Sequence, residues 1–510
     1  MIERQESPVG VRTRASCTSA PRGSVGLVVA LVAGLTAGLT TALVPTAGAQ
    51  QAAFDRTRPP ALGPAPALTV PTVKSGRLEN GVSLRVVEHR ELPLVQVTLL
   101  VAGGGRLDGN DRGLATFVAN MLDEGAGKRD ANALQAELAF LGASLSTGAG
   151  WDNTSVSLKV ARRNLEAALD LMADVVLRPT FSAAEVRRQR DLRLAGLLQQ
   201  KDQPGALASL AFNQLLFPEG HPYHHALGGD STSTAAIDSA AVRDFHRGSF
   251  RPARASFIVV GDLSEAEART LLGARFGKWR AEGPERTPPP VLVQPARPTG
   301  VKVVLVDKPG AAQSVIQIGT VGVERTNADY AAIEVMNTIL GGSFSSRLNT
   351  NLRETKGYSY GAGSGFSWRP LPGPFLASSS VRTNVTDSSL VEFFSELRSI
   401  RTVPVDAEEL ERAKAYLILG VPGDLESTSQ IAGQVAGLAN FNLPLDWLTE
   451  YVDRVGKVTV EDVKRVAERY LPAENALVVV VGDLARIRAG IEALNLGEVS
   501  VREVGQIVRE

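Results

Sequence analysis

The five residues VVGDL occur at 259–263 and return 221 residues later at 480–484. A second pair of landmarks keeps nearly the same distance: "VSLRVVEHRELPLVQVTL" (82–99) has its counterpart in "VKVVLVDKPGAAQSVIQI" (301–318), 219 residues on. Two landmarks at one offset make the chain a tandem duplication with a period of about 220 residues. Each 82–99-type segment alternates apolar and polar residues in two short runs, as paired half-buried strands do. Each half then runs through a helix, further strands and long helices to a closing VVGDL strand. Strands in hairpin-like pairs, separated by helices, predict an α+β layer rather than a doubly wound sheet. Between the halves, "EGPERTPPPVLVQPARPTG" (282–300) has the composition of an extended, semi-rigid connector.

The 510-residue length requires more than one core, in keeping with two like domains. Lys plus Arg and Asp plus Glu are 54 each, so no net charge draws the chain to nucleic acid or anionic lipid. At the N-terminus, Arg4, Arg12, Arg14 and Arg22 precede an uncharged run from Val25 to Val44. Ala47 and Ala49 follow at the −3 and −1 positions of a cleavage site before Gln50. This predicts a secretory signal and a periplasmic or otherwise exported location, the alternative being an uncleaved anchor. Cys17, the only cysteine, would leave with the signal, so the mature chain has neither disulfide nor thiolate chemistry.

"GLATFVANML" (113–122) predicts a buried helix whose Leu114, Phe117, Val118, Met121 and Leu122 form one apolar stripe. Thr116, Ala119 and Asn120 share another face, at the spacing by which a helix offers two metal ligands and a base to one ion. None of the three is a strong metal donor. "HPYHH" places His221, His224 and His225 at a ligand-like spacing, but Pro222 inside it favours a structural turn. His89 and His246 are isolated and read as surface or packing residues. The glycines of "VAGGGR" (101–106) and "LGGSFSSR" (340–347) continue into no phosphate-binding motif and read as tight turns with close backbone approach.

The order of these pieces, from about residue 75 to 495, resembles the insulinase/pitrilysin family of zinc peptidases in its two-domain, mitochondrial-processing-peptidase-like form. "GLATFVANMLDEGAGKR", "LGASLSTGAGWDNTSVSLKV", "HPYHHALGG" and, most specifically, "GGSFSSRL…LRE…GYSY" carry the resemblance. It implies two homologous α+β domains, each a mainly antiparallel sheet covered by helices. The expected division is a signal at 1–49, a Pro/Ala-rich lead-in at 50–72, domains at 73–281 and 301–500 flanking the connector, and a tail at 501–510.

The family's catalytic helix reads G-x-A-H-F-x-E-H-M. Gly113, Ala115, Phe117 and Met121 match it, whereas Thr116 and Asn120 replace the histidines and Ala119 the glutamate. The family's third ligand, a glutamate in a later helix, falls at Ala195 or Gly196. A catalytic zinc takes three donors among His, Asp, Glu and Cys plus a water, so the resemblance implies no metal or other cofactor in this chain. In active relatives an Arg and a Tyr reach across to the zinc site from the other half or another subunit. Arg353 and Tyr360, with six residues between them, have the family separation. A guanidinium and a phenol suit an oxyanion developing on a scissile carbonyl. The alternative is a structural ion pair for Arg353 and strand packing for Tyr360. In the family's substrate strand, which pairs with an extended peptide, Ser146 and Thr147 replace the usual Asn-Ala. Together these features predict the catalytically incomplete subunit of a heterodimeric peptidase whose homologous partner holds the zinc and whose substrates are peptides. The alternatives are a non-catalytic scaffold or peptide-binding protein, as in respiratory-complex core subunits, and an independent peptidase with a rebuilt metal site.

Overall fold

Each half builds a six-stranded sheet. In the first, β1 (Lys74–Arg77), β2 (Ser83–Glu88), β3 (Leu94–Ala102), β4 (Ser144–Ala149), β5 (Asn153–Ala161) and β6 (Ala255–Gly261) take the order β1-β2-β6-β3-β5-β4. In the second, β7 (Lys302–Asp307), β8 (Gln313–Val321), β9 (Ser359–Phe366), β10 (Pro374–Arg382), β11 (Leu477–Gly482) and β12 (Glu498–Arg502) take the order β12-β7-β11-β8-β10-β9. Five positions correspond across the repeat. The sixth does not: β1 pairs antiparallel with β2, whereas β12 comes from the far end of its half and pairs parallel with β7. The β2–β6 and β7–β11 contacts are also parallel, so each sheet is mixed with an antiparallel majority. This computed structural model describes residues 68–508 except residue 292. The expected signal, its cleavage site and Cys17 lie outside the described residues.

The runs at 82–99 and 301–318 form strands, as their alternation predicts, but they are not neighbours. The VVGDL strand, last in each half's core sequence, inserts between them: Val259 lies between Val86 and Val97, and Val479 between Val304 and Gln317. Burial is the reason. β6 and β11 are apolar without alternation, which suits a central strand covered on both faces.

Both coverings have a physical source. On one face of the first sheet, α1 (Leu114–Met121), α2 (Ala131–Phe140) and α3 (Leu165–Leu177) pack their apolar stripes into a single core. The same face of the second sheet carries the Tyr330–Asn337, Thr386–Thr402 and Val460–Tyr470 helices. Each remaining face is covered by a helix from the opposite half. After α4 (Ala183–Gln200), α5 (Pro204–Leu216) crosses to the second sheet and packs Leu207, Ala211 and Phe212 against Val304, Val306, Val479 and Val481. Reciprocally, the Thr428–Asn440 helix packs Ile431, Ala432 and Val435 against Val87, Leu100, Ile258 and Val260. A buried glutamine marks each crossing. Gln317 Nε2 donates to Ser209 Oγ at 3.0 Å, and Ser429 Oγ donates to Gln96 Oε1 at 3.3 Å. The glutamines occupy corresponding strands and the serines corresponding helices, so the duplication is expressed as a two-way exchange.

The described residues of the 282–300 connector form no helix or strand. Arg286 ties its start to the first half, pairing with Asp111 at 2.7 Å, and Arg297 ties its end to the Arg469 carbonyl. Beyond residue 500, β12 continues into a Val504–Ile507 turn of helix. Ile507 is buried and its carbonyl accepts a hydrogen bond from Gln214 Nε2 at 2.9 Å, so 501–508 belongs to the fold rather than forming a tail. Among the described residues no helix is long and apolar enough to cross a membrane.

Candidate functional site

Helix α1 begins at Gly113, whose φ of 83° admits a close approach that a side chain would block: a Cβ there would lie 2.2 Å from the Gly228 carbonyl. Asp108 fixes this start. It is buried, and its carboxylate accepts from the backbone N–H of Gly113 at 2.8 Å and of Ala115 at 2.7 Å. Burial raises the Asp108 carboxyl to about 7, opposed by those two N–H bonds and by Arg286. The loop at 226–229 closes over the same end. Thr116 Oγ1 donates to the Leu227 carbonyl at 2.9 Å, and the Arg193 guanidinium, on α4, donates to the Gly228 carbonyl.

The positions that would correspond to a metal site therefore have other occupations. Thr116 holds a loop, Ala119 is fully buried, and Asn120 is exposed. Ala195 and Gly196 are exposed on α4. Two neutral amide or hydroxyl side chains, an alanine and an Ala-Gly pair do not fit a catalytic zinc, and the three helix positions do not share one open face. Among the described residues no three His, Cys, Asp or Glu gather as a metal site.

The histidines of "HPYHH" form a structural turn. His221 Nδ1 accepts from the Tyr223 N–H at 3.1 Å and its ring stacks on Phe217. Burial, with Arg369 and Arg106 nearby, pushes His221 down to about 4. His224 and His225 donate through Nδ1 to the carbonyls of Phe217 (2.8 Å) and Ala226 (3.0 Å). His246 packs on Phe250 and donates to the Val176 carbonyl, while His89 lies 3.8 Å from Glu91. The glycine-rich stretches serve backbone approach: a Cβ at Gly104 would meet the Gly150 carbonyl at 2.2 Å, and one at Gly341 the Ser364 nitrogen at 2.3 Å.

β4, with Ser146 and Thr147, is the outer edge of the first sheet and lies against α1. Ser146 faces a polar groove beneath the Thr428–Asn440 helix, shared with Ser144, Ser157 and Lys159. β9 is the corresponding edge of the second sheet, and the "GGSFSSRLNTNLRETKGYSY" segment leads into it.

Within that segment the residues divide into two groups. Arg347 makes a two-pronged ion pair with Glu409 at 2.7 and 2.5 Å, and Leu348 and Leu352 are buried. Asn349 bridges the Phe344 carbonyl (2.6 Å) and the Ala362 N–H (3.2 Å). These residues hold the turn against β9. Phe344, Arg353 and Tyr360 stand outside it. The Arg353 guanidinium lies 4.6 Å from the centre of the exposed Phe344 ring and 3.3 Å from the neighbouring Glu354. Tyr360 is 92% exposed, and its hydroxyl has no hydrogen-bond partner among the described residues. It sits in a strand, as the alternative reading had it, but does not pack there. Phe344 was missed in the sequence, although a large aromatic inside a Gly-Ser turn was a visible signal. Asp108 and Arg193 were missed because their partners are backbone groups of a distant loop and a helix end.

A mixed sheet under helices, repeated, with the α1 helix beside an edge strand, has the arrangement of an insulinase-type peptidase fold. Residues 85–215 match the family described as Insulinase (Peptidase family M16), and residues 236–417 match the Peptidase M16 inactive domain. A crystal structure of a peptidase M16 inactive domain from Pseudomonas fluorescens is 31% identical, with a TM-score of 0.75 over 81% of this chain and 98% of that one. An uncharacterized zinc protease of Mycobacterium leprae is 29% identical over 54% of this chain and 62% of its own length. The mitochondrial-processing peptidase subunit beta of Blastocladiella emersonii is 22% identical over 84% of this chain and 94% of its own. The chain belongs to the insulinase, or M16, peptidase family.

Proposed function

We propose that this chain is an exported, zinc-free subunit of an insulinase-type peptidase that acts on extended peptides. In this reading a homologous partner holds the zinc, and Arg353 and Tyr360 are supplied to that partner's site. The observation that carries it is the division of one short segment into residues tied into the fold and three that are not: the exposed Phe344 and Tyr360, and Arg353, half-buried against Phe344 and Glu354. The exposed Tyr360 phenol is free to donate to an oxyanion, and the Arg353 guanidinium, paired with Glu354 and stacked on Phe344, is held beside the same segment with donors to spare. The metal-site positions support the same reading from the other side, since they lack donors. The name of the Blastocladiella relative, a peptidase subunit, supports an assembly of unlike chains.

Elemental analysis and a peptidase assay on the purified single chain test the metal half of this proposal. The expected result is no stoichiometric zinc and no cleavage. About one zinc per chain, lost in a His221→Ala/His225→Ala variant, would establish a rebuilt metal site instead.

A further inference from the structure

The second half contains a cavity of about 640 Å³ between the Tyr330–Asn337, Ala407–Gly420, Thr428–Asn440 and Trp447–Gly456 helices. It has no part in the proposed peptidase role. Its lining concentrates aromatic side chains in a chain that is only 5% aromatic: Tyr330, Trp368, Tyr416, Phe441, Trp447 and Tyr451 all face it.

Arg325 sits among these rings. Its guanidinium carbon is 3.5 Å from the centre of the Tyr330 ring and 4.2 Å from that of Trp447, and the residue is 7% exposed. Cation–π contact compensates part of the cost of burying this charge. It does nothing for the N–H donors, which need acceptors in the plane of the group. Among the described residues the Arg325 side chain makes no hydrogen bond and has no carboxylate within ion-pair distance. The one carboxylate held in place in the cavity, Glu334, accepts the Trp368 indole N–H at 2.9 Å instead. Asp424 lies at the rim. A stacked, buried guanidinium facing a cavity is a fork without its acceptor, and a carboxylate matches it.

We infer that this cavity binds a ligand carrying one carboxylate beside an apolar side chain and a nitrogen on the same carbon, as in a free apolar amino acid or the C-terminal residue of a peptide. Arg325 takes the carboxylate, the aromatic and leucine lining takes the side chain, and Glu334 faces the nitrogen. Two acids against one arginine leave no positive excess, which disfavours a phosphate or another polyanion. The volume falls in the range of small-molecule pockets.

Titration calorimetry of the full chain with L-phenylalanine, N-acetyl-L-phenylalanine and L-phenylalaninamide tests this. The account expects at least one acid to bind at least tenfold more tightly than the amide. Tighter L-phenylalanine, weakened in Glu334→Gln, identifies free amino acids as the source; tighter N-acetyl-L-phenylalanine identifies a peptide terminus. Arg325→Lys should weaken the acid at least tenfold. Because Arg325 is buried, Gly420→Phe provides an independent check. Gly420 lines the cavity at the exposed end of the Ala407–Gly420 helix with nothing within 4 Å of a Cβ, so a phenylalanine is accommodated at the cavity mouth without a clash with the core. It should weaken the acid at least tenfold with an unchanged Tm. An amide that binds as well as the acids, no saturable binding of any probe, or wild-type binding by folded Gly420→Phe would overturn the inference.

Discussion

Asp108 and Ala119 show the structural duties of the α1 helix: Asp108 holds its start and Ala119 is buried in its packing. Asp108 titrates at about 7 in the fold against an ordinary 3.8, because burial outweighs its two N–H bonds. The folded chain therefore binds this proton more tightly than the unfolded chain. By linkage, the stability that Asp108 contributes is fully present below about 3.8 and is lost as pH rises through about 7. His221 and His246, both pushed down to about 4 by burial, act in the opposite sense, so the comparison must be made against a variant. Denaturation of wild type and Asp108→Asn from pH 4 to 8 should show wild type losing stability relative to the variant as pH rises to about 7. A difference independent of pH would mean that Asp108 is ionised throughout. At Ala119, a restored glutamate would place a carboxylate where no surface is exposed. Thr116→His would also free the Leu227 carbonyl. The triple variant Thr116→His/Ala119→Glu/Asn120→His should lose about 3 kcal/mol or more and gain no peptidase activity. Activity from these three changes alone would place the third ligand elsewhere than Ala195 or Gly196.

At the scale of elements, the two halves are joined by exchange rather than by simple contact. Phe212 of α5 is buried against strands of the second half. Phe212→Ala should therefore cost about 3–5 kcal/mol. Chemical denaturation should show this loss, with separation of the halves into two transitions if α5 is their main tie. A loss below about 1 kcal/mol would show that α5 carries little of the joint. The duplication was legible because two apolar landmarks kept one offset, and the individual strands were legible from their alternation. The turn at "HPYHH" also followed from local chemistry, whereas the place of β4 as an edge strand came only with the family resemblance. The exchange was not legible: α5 and the Thr428–Asn440 helix look like ordinary amphipathic helices, and nothing local says which sheet they cover. The placing of β6 and β11 was hidden for the same reason, since a last strand in sequence becomes a central one through contacts some 170 residues apart. The Arg325 cavity was invisible because its rings come from positions 330 to 451, with no shared period.

At the scale of the whole molecule, an M16 chain with two complete cores has no metal-donor set at Thr116, Ala119, Asn120, Ala195 or Gly196, and carries a half-buried Arg353 and an exposed Tyr360 in the segment leading into the outer edge strand of its second half. The proposed role needs a second chain to give that pair a function. A donor that tightens on an oxyanion acts on the transition state, and removing one costs about 10²- to 10³-fold in turnover. A structural residue would instead reveal itself in stability or association. Tyr360 is 92% exposed, so losing its hydroxyl should leave Tm and partner affinity unchanged. Arg353→Lys should impair turnover as well, because an ammonium lacks the planar fork. The most direct measurement is kcat of Tyr360→Phe in the complex that copurifies with the tagged native chain. The account expects at least a tenfold fall at unchanged assembly and Tm. Turnover equal to wild type, or a complex that falls apart, would contradict the donated half-site and leave the chain a scaffold.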